Sequence, residues 1–152
     1  MNIELSNIDK IAGRVADIYR NKLTDYKLGN SNLANTASVQ VEFNGTLLVI
    51  SMNLEEYWKY VEYGRRPMKK FPPPTAIREW IKTKRIVPNP VNGKVPSTES
   101  LVYLISRKIA RDGIPPKRAL TETVYSTEFE AVIEDIKNEI KRQLMQQFLK
   151  DL

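Results

Sequence analysis

Residues 39–52, VQVEFNGTLLVISM, indicate the fold class because they have the pattern of a β-hairpin. Apolar and polar residues alternate in the first half of this stretch, as in a strand with one buried face. The Asn44-Gly45 pair is typical of a two-residue type I′ turn, after which the chain returns as a second strand. Such a turn predicts that Val41 faces Leu48 across the sheet.

The two faces of the predicted hairpin differ in composition. The opposite face from the core combines Leu47 and Val49 with polar residues, so a helix, another strand or another subunit must cover it. Leu47 and Val49 are therefore candidate partner-binding residues. Because a two-stranded sheet alone is marginally stable, we expect further strands from later segments or neighbouring subunits. The face expected to pack in the core comprises Val39, Val41, Leu48, Ile50 and Met52.

Helical periodicity of the apolar residues predicts helices before and after the hairpin. The first helix is predicted from about Asn7 to Leu23, with a capping box that begins at Ser6. Residues 28–32 are rich in turn-forming residues and predict a polar loop. The later helices are predicted to begin at Asn53, after Pro72-Pro73-Pro74, at Ser97 or Thr98, and, for the long C-terminal helix, near a capping box of Thr127 and Glu130.

The predicted helices assign buried or exposed positions to several large or charged residues. Trp58 and Trp80 lie at helical spacing from apolar residues, so we expect them to pack in the core rather than to stack on bases. Glu55, Glu56 and Glu62 are expected to be solvated and to favour the helix dipole. A catalytic pair of acids is the less favoured interpretation of these glutamates.

The composition lacks the residues of many active sites. The 152 residues contain no Cys and no His, which excludes Cys or His metal sites, disulfides and imidazole acid–base chemistry. The sequence has no glycine-rich phosphate loop and no nucleophile elbow. We therefore expect a single α+β domain over residues 1–152 that binds macromolecules and has no catalytic residues, no cofactor and no metal site.

The net charge of +6 favours an acidic partner, either nucleic acid or an acidic protein surface. Arg65, Arg66, Lys69 and Lys70 lie in a loop predicted to be exposed, and these four are the candidate partner-binding cations. The pattern suits a solvated face, contact with phosphates or contact with an acidic protein, and these three interpretations remain open. The whole basic cluster, opposed locally only by Glu79, is Arg65, Arg66, Lys69, Lys70, Arg78, Lys82, Lys84 and Arg85.

Residues 87–96, VPNPVNGKVP, contain three prolines and no helical period. They predict an extended arm or a small hairpin around Asn92-Gly93. A long loop in a small domain often contacts a partner, so Pro88 and Pro90 are further candidate partner-binding residues.

Two further segments carry a family resemblance. Residues 60–67, YVEYGRRP, contain an aromatic-Val-Glu-aromatic-Gly turn, which is followed by a proline-rich entry into residues 77–81, IREWI. Residues 109–120, IARDGIPPKRAL, contain a glycine stop and a proline-bearing turn before a final helix. In these features and in their order, the chain resembles the head-tail joining, or tail-completion, proteins of tailed bacteriophages. The resemblance covers about half the chain, and the arm at residues 87–96 departs from it.

The resemblance implies a structural protein of the virion neck, that is, a head-tail connector or tail-completion ring subunit that joins the portal to the tail. The implied partners are further copies in a ring, the portal or adaptor protein, the tail proteins and the DNA that passes through. The opening residues lack the features of a signal peptide, so we expect assembly in the host cytoplasm, without a membrane. A basic nucleic-acid-binding module is the alternative function.

Overall fold

The computed structural model describes residues 3–152. The fold is α+β, as predicted, with an N-terminal helix, an antiparallel hairpin packed by helices, and a long C-terminal helix. In chain order, the elements are α1 (Leu5–Asp25), α2 (Asn32–Thr36), β1 (Ser38–Phe43), β2 (Leu48–Asn53), α3 (Trp58–Tyr63), α4 (Pro74–Thr83), α5 (Thr98–Asp112), α6 (Ala119–Val124) and α7 (Thr127–Lys150).

The chain is organised as two compact units. Unit 1 consists of the residues up to Glu62 together with Lys117–Leu152, and unit 2 consists of Tyr63–Pro116. Unit 2 is therefore one continuous segment inserted between the two halves of unit 1. We predicted a single domain over residues 1–152 because the sequence contains no flexible linker, whereas the structure divides the chain into these two compact units.

The main core of unit 1 joins the first helix, the hairpin and the last helix. Ile8, Ala12 and Val15 recur at helical spacing along α1 and are buried. They pack with Val41 of β1 and with Val132 of α7, a contact between residues more than a hundred positions apart. This long-range packing supplies most of the stability of an amphipathic helix.

The start of α1 differs from the prediction. Glu4 is the N-cap residue, and Ser6 lies inside the first turn, so the predicted capping box at Ser6 is wrong. The Glu4 backbone N–H donates to Gln143 Oε1 at 2.8 Å, and Gln143 Nε2 donates to the Glu4 carbonyl oxygen at 2.9 Å. This reciprocal pair with α7 fixes the entry of the chain into α1, which a local cap would otherwise do.

The register of the hairpin is shifted by two residues from the prediction. Val41 pairs with Ile50, and Phe43 pairs with Leu48, so the loop has four residues and not two. The Asn44 side-chain oxygen accepts hydrogen bonds from the backbone N–H groups of the loop, which holds this wider turn. Because a shift by two keeps every side chain on its own face, the predicted core face is confirmed.

A short helix that was not predicted, α2, begins at Asn32, the last residue of the segment predicted as a polar loop. Ser31 caps α2 by accepting a hydrogen bond from the backbone N–H of Ala34. The Arg20 guanidinium donates to the carbonyl oxygens of Ala34 at 2.9 Å and of Ala37 at 2.6 Å. Leu33 is buried in a second cluster of unit 1, against Tyr19 of α1. The sequence shows the cap but not the tertiary partners that stabilise so short a helix.

Two helices form the core of unit 2. Ile77 and Ile81 of α4 pack against Val102 of α5, and the predicted positions of these helices are confirmed. Trp80, predicted to be buried, is 46% exposed. The two isoleucines are four residues apart and occupy the side of α4 that meets α5, which leaves Trp80 at the edge of that contact.

The starts of two helices, α3 and α7, also differ from the predictions. Asn53 does not begin a helix, because it is paired with Ser38 at the end of β2. The helix that carries Trp58, which is partly buried, starts only at that residue. Ser126 is the cap of α7 in place of Thr127, and its hydroxyl accepts from the Phe129 N–H at 3.1 Å.

Candidate partner-binding surfaces

A close backbone crossing in unit 2 brings the two family-like segments together. Arg65 and Ile114 form an antiparallel bridge, with two N–H to carbonyl hydrogen bonds of 2.8 Å. Gly64, which precedes Arg65, has φ +67°, and Gly113, which precedes Ile114, has φ +73°. A Cβ on Gly64 would lie 2.3 Å from the Ile114 carbonyl oxygen, and one on Gly113 would lie 2.2 Å from that of Arg65. Both positions therefore require glycine.

Glu62 is a buried structural acid of unit 1, and the prediction of a solvated side chain is wrong. The residue is only 4% exposed. Its carboxylate accepts hydrogen bonds from the backbone N–H groups of Leu120 at 2.8 Å and Thr121 at 3.0 Å, and from the Thr121 hydroxyl. The carboxylate therefore satisfies the free N–H groups at the start of α6. No signal near Glu62 in the sequence indicates this role.

The surroundings of Glu62 are arranged by two backbone features. Arg118, the residue before α6, has left-handed backbone angles of φ 56° and ψ 28°, which turn the chain into the helix. The Lys117 N–H donates to the Val61 carbonyl oxygen at 2.8 Å. The nearby Tyr19 is buried, and burial together with the charge of Glu62 raises the pKa of its hydroxyl to about 12. These groups make a structural network and not an exposed reactive site.

In the predicted basic loop of unit 2, one cationic side chain has a structural role and the other three are exposed. The Arg65 guanidinium donates to the Lys70 carbonyl oxygen, so this side chain closes the loop. The Lys69 N–H donates to the Ala110 carbonyl oxygen at 3.2 Å and fixes the loop against α5. The side chains of Arg66, Lys69 and Lys70 are exposed. Of the four predicted cations, these three are available to a partner.

Arg78, a fifth member of the basic cluster, has an acidic partner that the sequence did not indicate. Its guanidinium forms a two-pronged ion pair with Glu99 of α5, with N–O distances of 2.9 and 3.0 Å. The hydrogen bonds raise the pKa of Arg78 and lower that of Glu99. Exposed pairs of this kind add little stability, but they reduce the local positive charge.

The charge of the protein is strongly divided between the two units. Unit 2 contains twelve Lys and Arg but three Asp and Glu, so its net charge is +9. Unit 1 contains twelve Lys and Arg but fifteen Asp and Glu, so its net charge is −3. The excess of +6 over the whole chain thus conceals two units of opposite sign, of which only unit 2 suits an acidic partner.

An open groove of about 390 Å³ lies on the surface of unit 2. Its lining includes Phe71 and Tyr103, whose rings are 5.9 Å apart and tilted by 55°. Both rings are exposed, as is the lining residue Met68. The lining cations are Lys69, Arg107 and Arg111, of which Arg111 is paired with Asp112. The sequence did not reveal this groove, because Tyr103 and Arg107 join the basic loop only through the packing of α5.

The proline-rich arm forms the small hairpin that was one of the two predicted conformations. Val91 and Lys94 exchange backbone hydrogen bonds of 2.9 and 3.0 Å. Asn92 and Gly93 both have positive φ values, of 51° and 75°, as a type I′ turn requires. Pro88 is partly buried and Pro90 is exposed. The exposed apolar residues of the arm are Val87, Val91 and Val95.

The second face of the β-hairpin carries exposed apolar residues. Leu47, in the loop, is 62% exposed, and Val49 of β2 is 45% exposed. Within residues 3–152, the sheet has two strands only, so the further strands that we expected from later segments are absent there. The surface formed by Leu47 and Val49 is named the hairpin surface below.

Neither a metal-binding group nor a membrane-spanning helix is found in the part of the chain that the structure describes. Residues 3–152 hold no group of three or more acidic residues placed to bind a metal ion. No helix in the same range is both long and apolar enough to cross a membrane. Comparisons with known proteins give no functional assignment: no family model, no curated protein and no solved structure matches the chain.

Proposed function

We propose that this protein is a structural component of a tailed-phage virion, a neck adaptor, head-tail connector or tail-completion ring subunit that joins the portal to the tail. The proposal starts from the two family-like segments at residues 60–67 and 109–120. In this role the protein has no catalytic activity and no cofactor, and its partners are copies of itself and the proteins above and below it. It assembles in the host cytoplasm and resides in the virion neck.

One observation supports the proposal most. Within the two family-like segments, certain residues determine the backbone conformation of unit 1 and of unit 2. Gly64 and Gly113 permit the close crossing beside Arg65 and Ile114 in unit 2. Glu62 holds the start of α6 in unit 1. The similar residues therefore have demanding structural roles, which supports a shared fold rather than a chance agreement of short motifs.

The exposed surfaces suit a protein that functions in an assembly. The hairpin surface of Leu47 and Val49, the arm and the groove of unit 2 all expose apolar side chains. A ring subunit has two neighbours in its ring and contacts the layers above and below, so it buries several such surfaces at once. Arg66, Lys69 and Lys70 provide positive charge for an acidic neighbouring protein or for DNA in transit.

The experiment is to measure the mass of the purified protein in solution. Light scattering at several concentrations, alone and with a portal-containing capsid fraction, distinguishes the outcomes. We expect either a ring-sized species or a monomer that joins the capsid fraction. A monomer that ignores capsids at all concentrations contradicts the proposal.

A basic nucleic-acid-binding module is the second candidate, and the net charge of +9 on unit 2 favours it. Phosphate contacts would make binding strongly dependent on salt. A salt-dependent shift of DNA mobility by the isolated protein, lost when Arg66, Lys69 and Lys70 are replaced by Glu, supports this function. The same shift, unaffected by the replacements, argues against the loop as the binding surface.

A further inference from the structure

We infer that the groove of unit 2 binds unit 1 of a second copy of this chain, at an acidic segment that presents Tyr125. This inference rests on the proposed ring function and names the contact between neighbouring subunits. The groove surface is defined here by Met68, Phe71, Tyr103 and Arg107, and the acidic segment by residues 119–136.

The acidic segment is the natural complement of the groove in charge. Residues 119–136, which include α6 and the start of α7, contain five Asp and Glu but no Lys or Arg. Two of the five are paired within the chain, Asp135 with Arg14 and Glu134 with Lys137. Glu128 and Glu130 lie in the first turn of α7 and are exposed. Hydrogen bonds and a nearby cation lower the pKa of Glu128, so its side chain is ionised at neutral pH. Unit 2, in contrast, carries a net charge of +9.

The acidic segment also exposes an aromatic side chain. Tyr125 is the C-cap residue of α6 and is 82% exposed, and the neighbouring Val124 is exposed as well. Tyrosine is among the residues enriched in protein interfaces, since it buries a large area at a small cost in conformational entropy. Its ring suits a groove lined by Phe71 and Tyr103, because aromatic rings pack favourably in tilted or offset pairs.

The chemistry of the groove favours a protein partner over the phosphate backbone of DNA. The lining combines the aromatic pair Phe71 and Tyr103 with the cations Lys69 and Arg107. An aromatic ring with carboxylates beside it matches both parts, whereas a phosphate chain matches only the cations. Because two different surfaces pair, the contact is heterologous, and such a contact repeats from copy to copy and forms a ring where the rotation between copies closes.

The absence of cysteine makes a direct test possible. Two single-cysteine variants, Tyr125→Cys and Met68→Cys, are mixed under mild oxidation, with a mass tag on one of them to distinguish mixed from like dimers. We expect the mixed disulfide to form roughly tenfold more than with a control pair of Tyr125→Cys and Val87→Cys. Val87 is equally exposed in unit 2 but lies outside the groove. A mixed yield equal to the control overturns the inference.

Charge reversal provides a second measurement on the same pair. Arg107→Glu, added to the Met68→Cys variant, is expected to reduce the mixed disulfide to the control level. Glu130→Arg, added to the Tyr125→Cys variant, is then expected to restore it. Matched reversals elsewhere, Lys84→Glu and Asp9→Arg, should leave the yield unchanged, since both residues are exposed outside the two surfaces. Equal effects of all four reversals contradict a specific contact.

The outcomes separate this inference from the proposed function. A wild-type protein that forms rings or joins capsids, without the specific disulfide, overturns the contact and leaves the neck function in place. A specific disulfide in a protein that forms no ring-sized species and does not join capsids supports the contact and contradicts the neck function. If the disulfide stays at control level and Arg107→Glu abolishes DNA binding, the groove binds nucleic acid and the inference is wrong.

Discussion

The carboxylate of Glu62 accepts a 2.8 Å hydrogen bond from the backbone N–H of Leu120, 58 residues further along the chain. The same carboxylate accepts from the Thr121 N–H and hydroxyl, so one buried side chain holds the first turn of α6. Backbone N–H groups at a helix start need acceptors, and α6 has no side-chain cap of its own. Unit 1 therefore depends on an acid from the other half of its own sequence.

Replacing Glu62 should destabilise the fold. Glu62→Ala leaves two backbone N–H groups without acceptors in a buried site, and we expect the free energy of unfolding to fall by roughly 3 kcal/mol. Glu62→Gln keeps an acceptor oxygen and should lose less. Urea denaturation followed by circular dichroism measures both. Glu56→Ala, at an exposed glutamate nearby in the sequence, is the control. Equal stabilities of the Glu62→Ala and Glu56→Ala variants would show that the hydrogen bonds do not contribute.

Adding a methyl group at Gly64 or Gly113 should disrupt unit 2. Each Cβ would lie within 2.3 Å of a backbone oxygen, and each residue has positive φ. Gly93→Ala is the matched control, because Gly93 also has positive φ but has no atom within 4 Å of the added carbon. The control should lose about 1 kcal/mol from backbone strain alone. We expect at least twice that loss for Gly64→Ala and Gly113→Ala by denaturant titration. Losses similar to that of Gly93→Ala would refute the close crossing.

The hairpin surface should be required for assembly but not for folding. Leu47 is exposed in the loop, so Leu47→Asp should change the free energy of unfolding by less than about 0.5 kcal/mol and leave the circular dichroism intact. Burying the Asp carboxylate of this variant in an interface would cost free energy of association. We therefore expect light scattering to show loss of the ring-sized species or of capsid association.

The neighbouring Thr46→Asp separates charge from lost apolar area, since it adds the same charge in the loop without removing an apolar side chain. Assembly should persist in this control. Unfolding of the Leu47→Asp protein would instead place the hairpin surface in a core.

Acid should weaken the contact between α7 and the start of α1. Glu139 accepts hydrogen bonds from Arg142, Gln143 and Asn7, and these bonds lower its pKa from 4.5 to about 2. A lowered pKa in the folded state means that the contribution is complete above pH 4.5 and is lost as the pH falls towards 2. Glu139→Gln should therefore lose stability less steeply over this range.

Urea denaturation at pH 7, 4.5 and 3 measures the difference in slope. The control is Glu134→Gln, whose carboxylate makes one exposed ion pair with Lys137 at 3.4 Å. It should follow the wild-type pH dependence. An unchanged slope for Glu139→Gln would mean that other carboxylates govern the acid response.

The hairpin illustrates what the sequence predicts well. Its core face was predicted correctly from the alternation of apolar residues, although the loop was assigned two residues too few. The error has a local cause, since Asn44 uses its side-chain oxygen to hold a four-residue loop. The type I′ turn predicted there is found at Asn92-Gly93 instead, where both residues have positive φ.

The sites are predicted less well, because they depend on contacts distant in the sequence. Arg65 and Lys69 both belong to the predicted basic loop, but only the structure shows that Arg65 bonds back to the loop. Tyr103 and Arg107 reach the same surface from a helix more than thirty residues away. Glu62 was predicted to be solvated, because helical spacing cannot show that backbone N–H donors of a distant segment approach its carboxylate.

The division of unit 1 into two halves of the sequence affects how the protein is made. During synthesis, Ile8 and Val15 leave the ribosome long before Val132, the residue of α7 that completes their core. The first half of unit 1 must wait with an apolar helix face uncovered, while unit 2, one continuous segment, can fold as soon as it emerges. Chaperones that shield exposed apolar chains would act in this interval, and the emergence of α7 would complete unit 1.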